Sequence, residues 1–358
     1  MPPASRTAGG GESGLPARGD PAGRPRILVI RRDNIGDLVC TTPLLRALRA
    51  QLPESFIVAL VNRYNEPVLT RHPDLDALVS YQKAKHREPG ETVPGLYWRR
   101  LRTLIALRRQ RFDWLLLPGG AQASVLRSAR LVAPRRLLVR DDGDACAGTH
   151  EVEQVCHLLP RMGLEYAAPA PTVVPDPQIV DGVKASVTAR LGFAPRTLIG
   201  VHISARKPSQ RWASERFAAL IRQLPTPAGT AFVLLWAPGA ESNRLHPGDD
   251  GKAAQVLERL RQVPIAPVAT RRLEALVAAL ALCDRVICAD GGAMHLAAAL
   301  SKPIVCLFGD SDPSRWRPWG VPQELLQSAS RNVADIMVED VVQAHQRLCA
   351  RLPANPVT

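Results

Sequence analysis

The chain has 358 residues, of which 46% are hydrophobic, enough for two globular domains of ordinary size. Its longest apolar runs, such as 27–30 and 114–117, are strand-sized and far short of the roughly 20 residues that span a bilayer. A formal net charge of +13 points to an anionic partner, and an aromatic fraction of 4% leaves too few stacking platforms for a nucleic-acid binder, so a phosphorylated small molecule or a membrane surface is favoured.

Residues 1–25 are rich in Gly, Pro, Ala and Arg without an apolar stretch, and are expected to form a disordered leader. Residues 26–31 (RILVIR) read as a strand, 32–37 (RDNIGD) as a turn, 38–51 as a helix and 56–61 as the next strand. A short strand is expected over 74–81, a polar loop over 86–92 and a basic amphipathic helix over 94–110. Strand 112–117 closes on Pro118-Gly119-Gly120, and helix 122–131, strand 136–139 and helix 151–162 complete an N-terminal domain over 26–166.

The prolines of 167–177 mark a linker. The βα alternation then resumes: helix 177–191, strand 197–203, loop 204–212, helix 214–224, strand 231–236, helix 251–262, a short strand at 264–266 and helix 271–281. A strand at 285–288, an Asp-Gly-Gly turn at 290–292, a small-residue helix at 293–300 and a strand at 304–308 form one βαβ unit. The second domain covers 178–334, and a tail helix over 336–351 lies in a separate terminal segment, 335–358. Two such halves predict an α/β protein with a cleft between two sets of strand C-termini.

Three loops of the second half carry candidate ligand groups. Ser204–Trp212 (SARKPSQRW) offers Ser204, Arg206, Lys207 and Arg211 to a diphosphate, although a charge run of this kind is also an ordinary solvated surface. Glu241, past the strand at 231–236, suits ribose hydroxyls. Asp290, Gly291, Gly292, Ala293 and His295 sit where glycine lets the backbone approach a ligand and a helix start attracts phosphate; the plainer alternative is a tight turn with Asp290 as an acidic N-cap. In the first half, Gly36 and Asp37 stand where strand meets helix, and Asp37 is either a dipole partner or a carboxylate able to take a proton.

No GxGxxG fingerprint follows the first strand, which weighs against a dinucleotide cofactor. The pairs Asp142/Asp144 and Asp310/Asp312 are read as connector and turn chemistry, so no metal site is expected. His72, His86 and His246 are read as surface residues. The seven cysteines form no CxxC pair, which suggests buried thiols in a reducing cytoplasm and no structural zinc.

At these residues the chain resembles the heptosyltransferase-type glycosyltransferases, family 9, of the GT-B fold. Residues 26–45 (RILVIRRDNIGDLVCTTPLL), 150–164 (HEVEQVCHLLPRMGL), 204–217 and 290–309 are similar, in order and separation, to four blocks of that family. The resemblance implies two Rossmann-like domains facing a central cleft. It also implies an inverting, metal-independent transfer from a nucleotide-diphosphate sugar, ADP-heptose in most members, onto the inner core of lipopolysaccharide.

By position, Asp37 would be the base, Gly36, Thr41 and Thr42 would lie on the acceptor side, Glu241 would hold the donor ribose, and Asp290, Gly291, Gly292 and His295 would line the diphosphate. The expected partners are a nucleotide-sugar donor and a lipid-linked glycan acceptor, with no cofactor, no nucleic acid and a cytoplasmic location touching the anionic inner-membrane face. Two positions depart from the family: Gly291 replaces Ser or Thr, and Gln210 replaces a Lys whose charge Arg206, Lys207 or Arg211 would have to supply. A nucleotide-sugar epimerase or hydrolase, and a non-catalytic module for a phosphorylated glycan, are the competing readings.

Overall fold

The computed structural model describes residues 23–81, 92–141, 148–243 and 247–353. Nearly all of the expected leader, most of the expected 86–92 loop, His86, His246, Cys146 and the Asp142/Asp144 pair lie outside them. The chain divides into two compact units, Met1–Ala147 with Glu153–Ala168, and Gly148–Val152 with Pro169–Thr358. The last division falls inside the proline-rich stretch. Residues 148–152, which the sequence reading kept in the first domain, group with the second unit instead.

The first unit holds a five-stranded parallel sheet, with β1 (Arg26–Arg31), β2 (Phe56–Asn62), β3 (Ala77–Tyr81), β4 (Trp114–Leu117) and β5 (Arg136–Val139) in the order β3-β2-β1-β4-β5. Strand β2 is buried at every position, as a parallel strand with both faces covered must be, which is why its sequence is a continuous apolar run. Its core joins Leu28, Val58 and Leu115 to Leu107 of helix α3 (Val93–Arg109) and Ala129 of helix α4 (Ala123–Val132).

The helix expected over 38–51 is two helices, α1 (Ile35–Val39) and α2 (Thr42–Gln51). Pro43 causes the break: it has no N–H to give to the carbonyl four residues back, that of Val39, and its ring would crowd it. The Thr42 hydroxyl donates to that carbonyl at 2.8 Å, and the Thr41 hydroxyl donates to the Asp37 carbonyl at 2.9 Å. Thr41 and Thr42 are both buried, so they hold the break rather than face an acceptor as expected. His72 is also buried, not at the surface, and burial, with Arg46 nearby, pushes its pKa down to about 4.

The second unit has six parallel strands in the order β11-β10-β9-β6-β7-β8: β6 (Thr197–His202), β7 (Thr230–Trp236), β8 (Ile265–Ala269), β9 (Arg285–Ala289), β10 (Ile304–Phe308) and β11 (Gln323–Gln327). The short helix α5 (Glu151–Cys156) precedes it in the chain, followed by α6 (Pro177–Leu191). Helices α7 (Ser214–Gln223), α8 (Asp250–Arg259), α9 (Leu273–Leu282), α10 (Gly292–Ala299) and α11 (Pro313–Trp316) lie among the strands, and α12 (Val338–Arg351) follows them. Val341, Ala344 and Leu348 of α12 share one core with Val305 and Leu307, so the tail helix is part of this unit rather than an appendage.

Both sheets have the doubly wound order, which places a topological switch point between β1 and β4 in the first and between β6 and β9 in the second. Ligands of open α/β sheets bind outside the strand C-termini at such points.

Candidate active site

At the switch point of the first unit, Arg31 ends β1 with its side chain buried. Its guanidinium lies 2.8 Å from Asp37 Oδ1 and 2.9 Å from Asp33 Oδ2, and Nη1 donates to the Pro118 carbonyl at 2.7 Å. Asp37 Oδ2 accepts from the backbone N–H of Asn34 at 3.1 Å and from its side-chain amide at 3.0 Å. Burial works to raise the pKa of Asp37, but the Arg31 charge and the Asn34 hydrogen bonds outweigh it and hold the carboxyl below the usual aspartate range. A carboxylate has about four acceptor sites, and these donors fill three, leaving room on Oδ1 for one more.

The turn around Asp37 is braced by its neighbours. The Asp33 carbonyl accepts from Asn62 at 3.1 Å and Asn65 at 2.8 Å, and its carboxylate accepts from Gln122 at 3.0 Å. A Cβ on Gly119 would come within 2.5 Å of Asp33 Oδ2 and would push that carboxylate away from Arg31. Gly36 is buried in the first turn of α1 beside Asp37.

At the switch point of the second unit, β6 and β9 pair through Val201 and Ile287, so the loop after β6 lies beside the turn after β9. Gln210 is buried and donates to Asp290 Oδ2 at 2.7 Å and to Ser311 Oγ at 3.2 Å. Lys207 Nζ contacts Asp310 at 3.0 Å and Ser311 at 3.4 Å. Gly309 allows this approach, because a Cβ there would come within 2.5 Å of the Ser209 carbonyl oxygen. Burial raises the pKa of Asp290, against which Ser311, Lys207 and Gln210 act only in part.

Asp290 is not the cap of α10; Gly291 is, at φ 154°, a conformation that favours glycine. No side chain caps this helix, so the N–H groups of Gly292, Ala293 and Met294 have no acceptor among the described residues. Arg206 is exposed and makes no hydrogen bond or ion pair among the described residues. His295 and Ala293 are buried in the first turns of α10, His295 edge-on to Trp316 with ring centroids 6.0 Å apart.

Two sequence candidates, Ser204 and Arg211, hold the loops rather than face outward. The Ser204 hydroxyl accepts from the Ala237 N–H at 2.9 Å, tying the loop after β6 to the loop after β7. Arg211 lies 2.6 Å from Asp249 and 3.0 Å from Glu241, and donates to the Ala205 carbonyl at 2.9 Å. It therefore positions Glu241, whose side chain is 80% exposed five residues beyond β7. Trp212 is buried and donates to the Ile336 carbonyl at 3.1 Å, a packing role.

Sequence reasoning missed Asp249 and Lys252. Lys252 donates to the Ile203 carbonyl at 2.9 Å, and burial lowers its pKa to about 8, partly offset by Asp249. Both belong to the start of α8, which reaches the end of β6 only through a long loop. Gly239 and Gly248 cross within that loop so closely that a Cβ on Gly248 would lie 2.2 Å from backbone atoms. No local spacing signals such a crossing.

The family model for glycosyltransferase family 9 (heptosyltransferase) matches residues 106–344. Lipopolysaccharide heptosyltransferase 2 of Salmonella typhimurium is 28% identical over 307 residues, covering 80% of this chain and 84% of the relative. Among solved structures, the glycosyl transferase family 9 from Veillonella parvula superposes with a TM-score of 0.74 at 19% identity over 92% of this chain and 98% of its own. E. coli ADP-heptose lps heptosyltransferase II gives 0.70 at 20% identity over 91% and 99%. Two parallel α/β units, superposition on these structures over nearly the whole chain and a family match across two thirds of it lead to one assignment: the chain is a GT-B enzyme belonging to glycosyltransferase family 9.

Proposed function

We propose that the protein transfers heptose from ADP-heptose to a sugar hydroxyl of the lipopolysaccharide inner core, inverting the anomeric centre without a metal ion. The observation that carries this reading is the uncapped start of α10, whose turn the basic loop of Arg206 and Lys207 meets through Gln210 and Asp290. Three free N–H groups and two cations form a site for the diphosphate, whose charge grows as the glycosidic bond to it breaks. Glu241, held by Arg211, accepts from the ribose hydroxyls.

In this reading the acceptor oxygen attacks the anomeric carbon, the carbon–phosphate oxygen bond breaks, and ADP leaves with the bonding electrons. The acceptor proton passes to Asp37. Because Arg31 holds Asp37 ionised, the base is ready at neutral pH. The same depression makes it a weak base, so the proton moves late, once the attacking oxygen has become acidic by forming its new bond. The transition state resembles an oxocarbenium ion, as in glycoside hydrolysis.

The test is a transfer assay with ADP-heptose, with and without a heptose-deficient lipopolysaccharide core, in the presence and absence of EDTA. The expected result is ADP release that requires the acceptor, a core heavier by one heptose, and a rate unchanged by EDTA. ADP release without acceptor indicates a hydrolase, an altered free sugar nucleotide an epimerase, and loss on chelation restored by magnesium a metal-dependent enzyme.

A further inference from the structure

Helix α3 carries apolar residues on two faces. Leu96 and Leu107 are fully buried, Leu107 in the core of the first sheet. Tyr97 (58% exposed), Trp98 (61%), Leu101 (43%) and Ile105 (39%) are not. Their spacings of three, four and seven put them on one stripe, about 12 Å long at 1.5 Å per residue, turned away from the buried leucines. A helix apolar on both faces is ordinarily covered on both, and a large exposed apolar patch marks an interaction surface.

Charge identifies what covers it. Helices α3 and α4 contain seven arginines and no acidic residue. Arg99, Arg102, Arg108 and Arg109 are exposed along α3, with Arg108 continuing the apolar stripe. Arg108 donates to the carbonyl of Leu131, whose side chain is exposed in turn and extends the apolar surface onto α4. Tryptophan and tyrosine at one end, leucine and isoleucine beside them and arginines at the margin are the composition of a helix lying in a bilayer interface. Arginine stems cover apolar surface while their heads reach phosphate.

No helix among the described residues is long and apolar enough to cross a membrane, so contact through α3 is peripheral. We infer that this face of α3, with the end of α4, docks the enzyme on an anionic phospholipid surface. The lipids themselves are the ligand here, independently of any glycolipid acceptor. The inference rests on the exposed face and not on the identity of the sugar transferred.

The experiment is flotation of the full chain with extruded vesicles free of glycolipid, either phosphatidylethanolamine with phosphatidylglycerol or phosphatidylcholine alone. The bound fraction is expected to be about tenfold higher on the anionic vesicles and to fall at high salt. The double variants Trp98→Ser with Leu101→Ser and Arg102→Glu with Arg109→Glu should fall to the phosphatidylcholine level. Both should keep the wild-type circular dichroism spectrum and melting curve, which reports the fold of the unit that carries α3, and both should still bind ADP in calorimetry. Equal binding to both vesicles, wild-type binding by the Ser variant, or a dimer that the Ser variant abolishes would overturn the inference. Failure of the wild type to bind ADP would count against the transferase reading and leave the lipid result standing.

Discussion

Each unit places an aspartate at its switch point, and the two are held in opposite ways. Asp37 sits against the Arg31 guanidinium and its pKa is depressed. Asp290 has no such cation against it among the described residues; burial raises its pKa and the Gln210 amide offsets this only in part. The helix starts differ in the same sense. Asp37 accepts from the Asn34 N–H, so the protein itself occupies the start of α1, whereas α10 begins at glycine with its N–H groups open. One turn holds a carboxylate ionised, as the proposed proton transfer requires, and the other leaves helix N–H groups open to the anion that the proposed donor would bring. Residue type and topological position are shared; the neighbours decide the chemistry.

Removing Arg31 breaks the comparison most severely. Arg31→Ala leaves Asp33 and Asp37 mostly buried without their cation, and such losses cost about 3–5 kcal/mol. Chemical denaturation should read a loss of that order, with transfer abolished even in the folded fraction. A loss below about 1 kcal/mol would mean that solvent replaces the guanidinium.

The second turn is tested through its cations. A hydrogen bond to a charged group contributes about 1.5–3 kcal/mol, so Arg206→Ala should weaken ADP binding about tenfold or more in calorimetry. Lys207→Ala should cost less, because the ammonium is already paired with Asp310 and has less of its charge to give to the diphosphate. Unchanged ADP affinity in both would place the diphosphate elsewhere.

The smallest effect is a difference in sign. A carboxyl with a depressed folded pKa adds stability above its unfolded value of about 4, and that contribution is lost as pH falls through the folded value. A carboxyl with a raised folded pKa instead costs stability above that value, and the cost vanishes in acid. At neutral pH, Asp290→Asn should therefore leave stability unchanged or slightly higher, while Asp37→Asn lowers it by up to about 1 kcal/mol. The two variants should converge below pH 4. Melting curves at both pH values check this, and equal losses at neutral pH would remove the contrast.

The strands of both sheets were legible because buried parallel strands must be apolar on both faces, as in β2 and β10. Strand β11 was not: QELLQ is half-buried at the sheet edge and carries no apolar run. The break at Pro43 was visible in principle, since a proline nine residues into a continuous helix from Ile35 has nowhere to place its ring.

Within the site, the Asp290 turn and the basic loop could be read from spacing. Which cations stay available could not, because Arg211 is committed by Asp249, a partner 38 residues away that arrives through the Gly239–Gly248 crossing. The pairing of Gln210 with Asp290 across 80 residues was equally out of reach. Residues 148–152 changed units without any break in composition to announce it.

The division of labour between the two turns is tested most directly by Asp37→Asn, measured for ADP binding and for heptose transfer on the same preparation. The amide keeps the shape and can still accept a hydrogen bond from Arg31, but it cannot take a proton at neutral pH. The account predicts folded protein with ADP affinity unchanged and transfer reduced by roughly 10²–10⁴. Near-normal transfer would contradict it, leaving Asp37 as a helix-start acid and the base elsewhere.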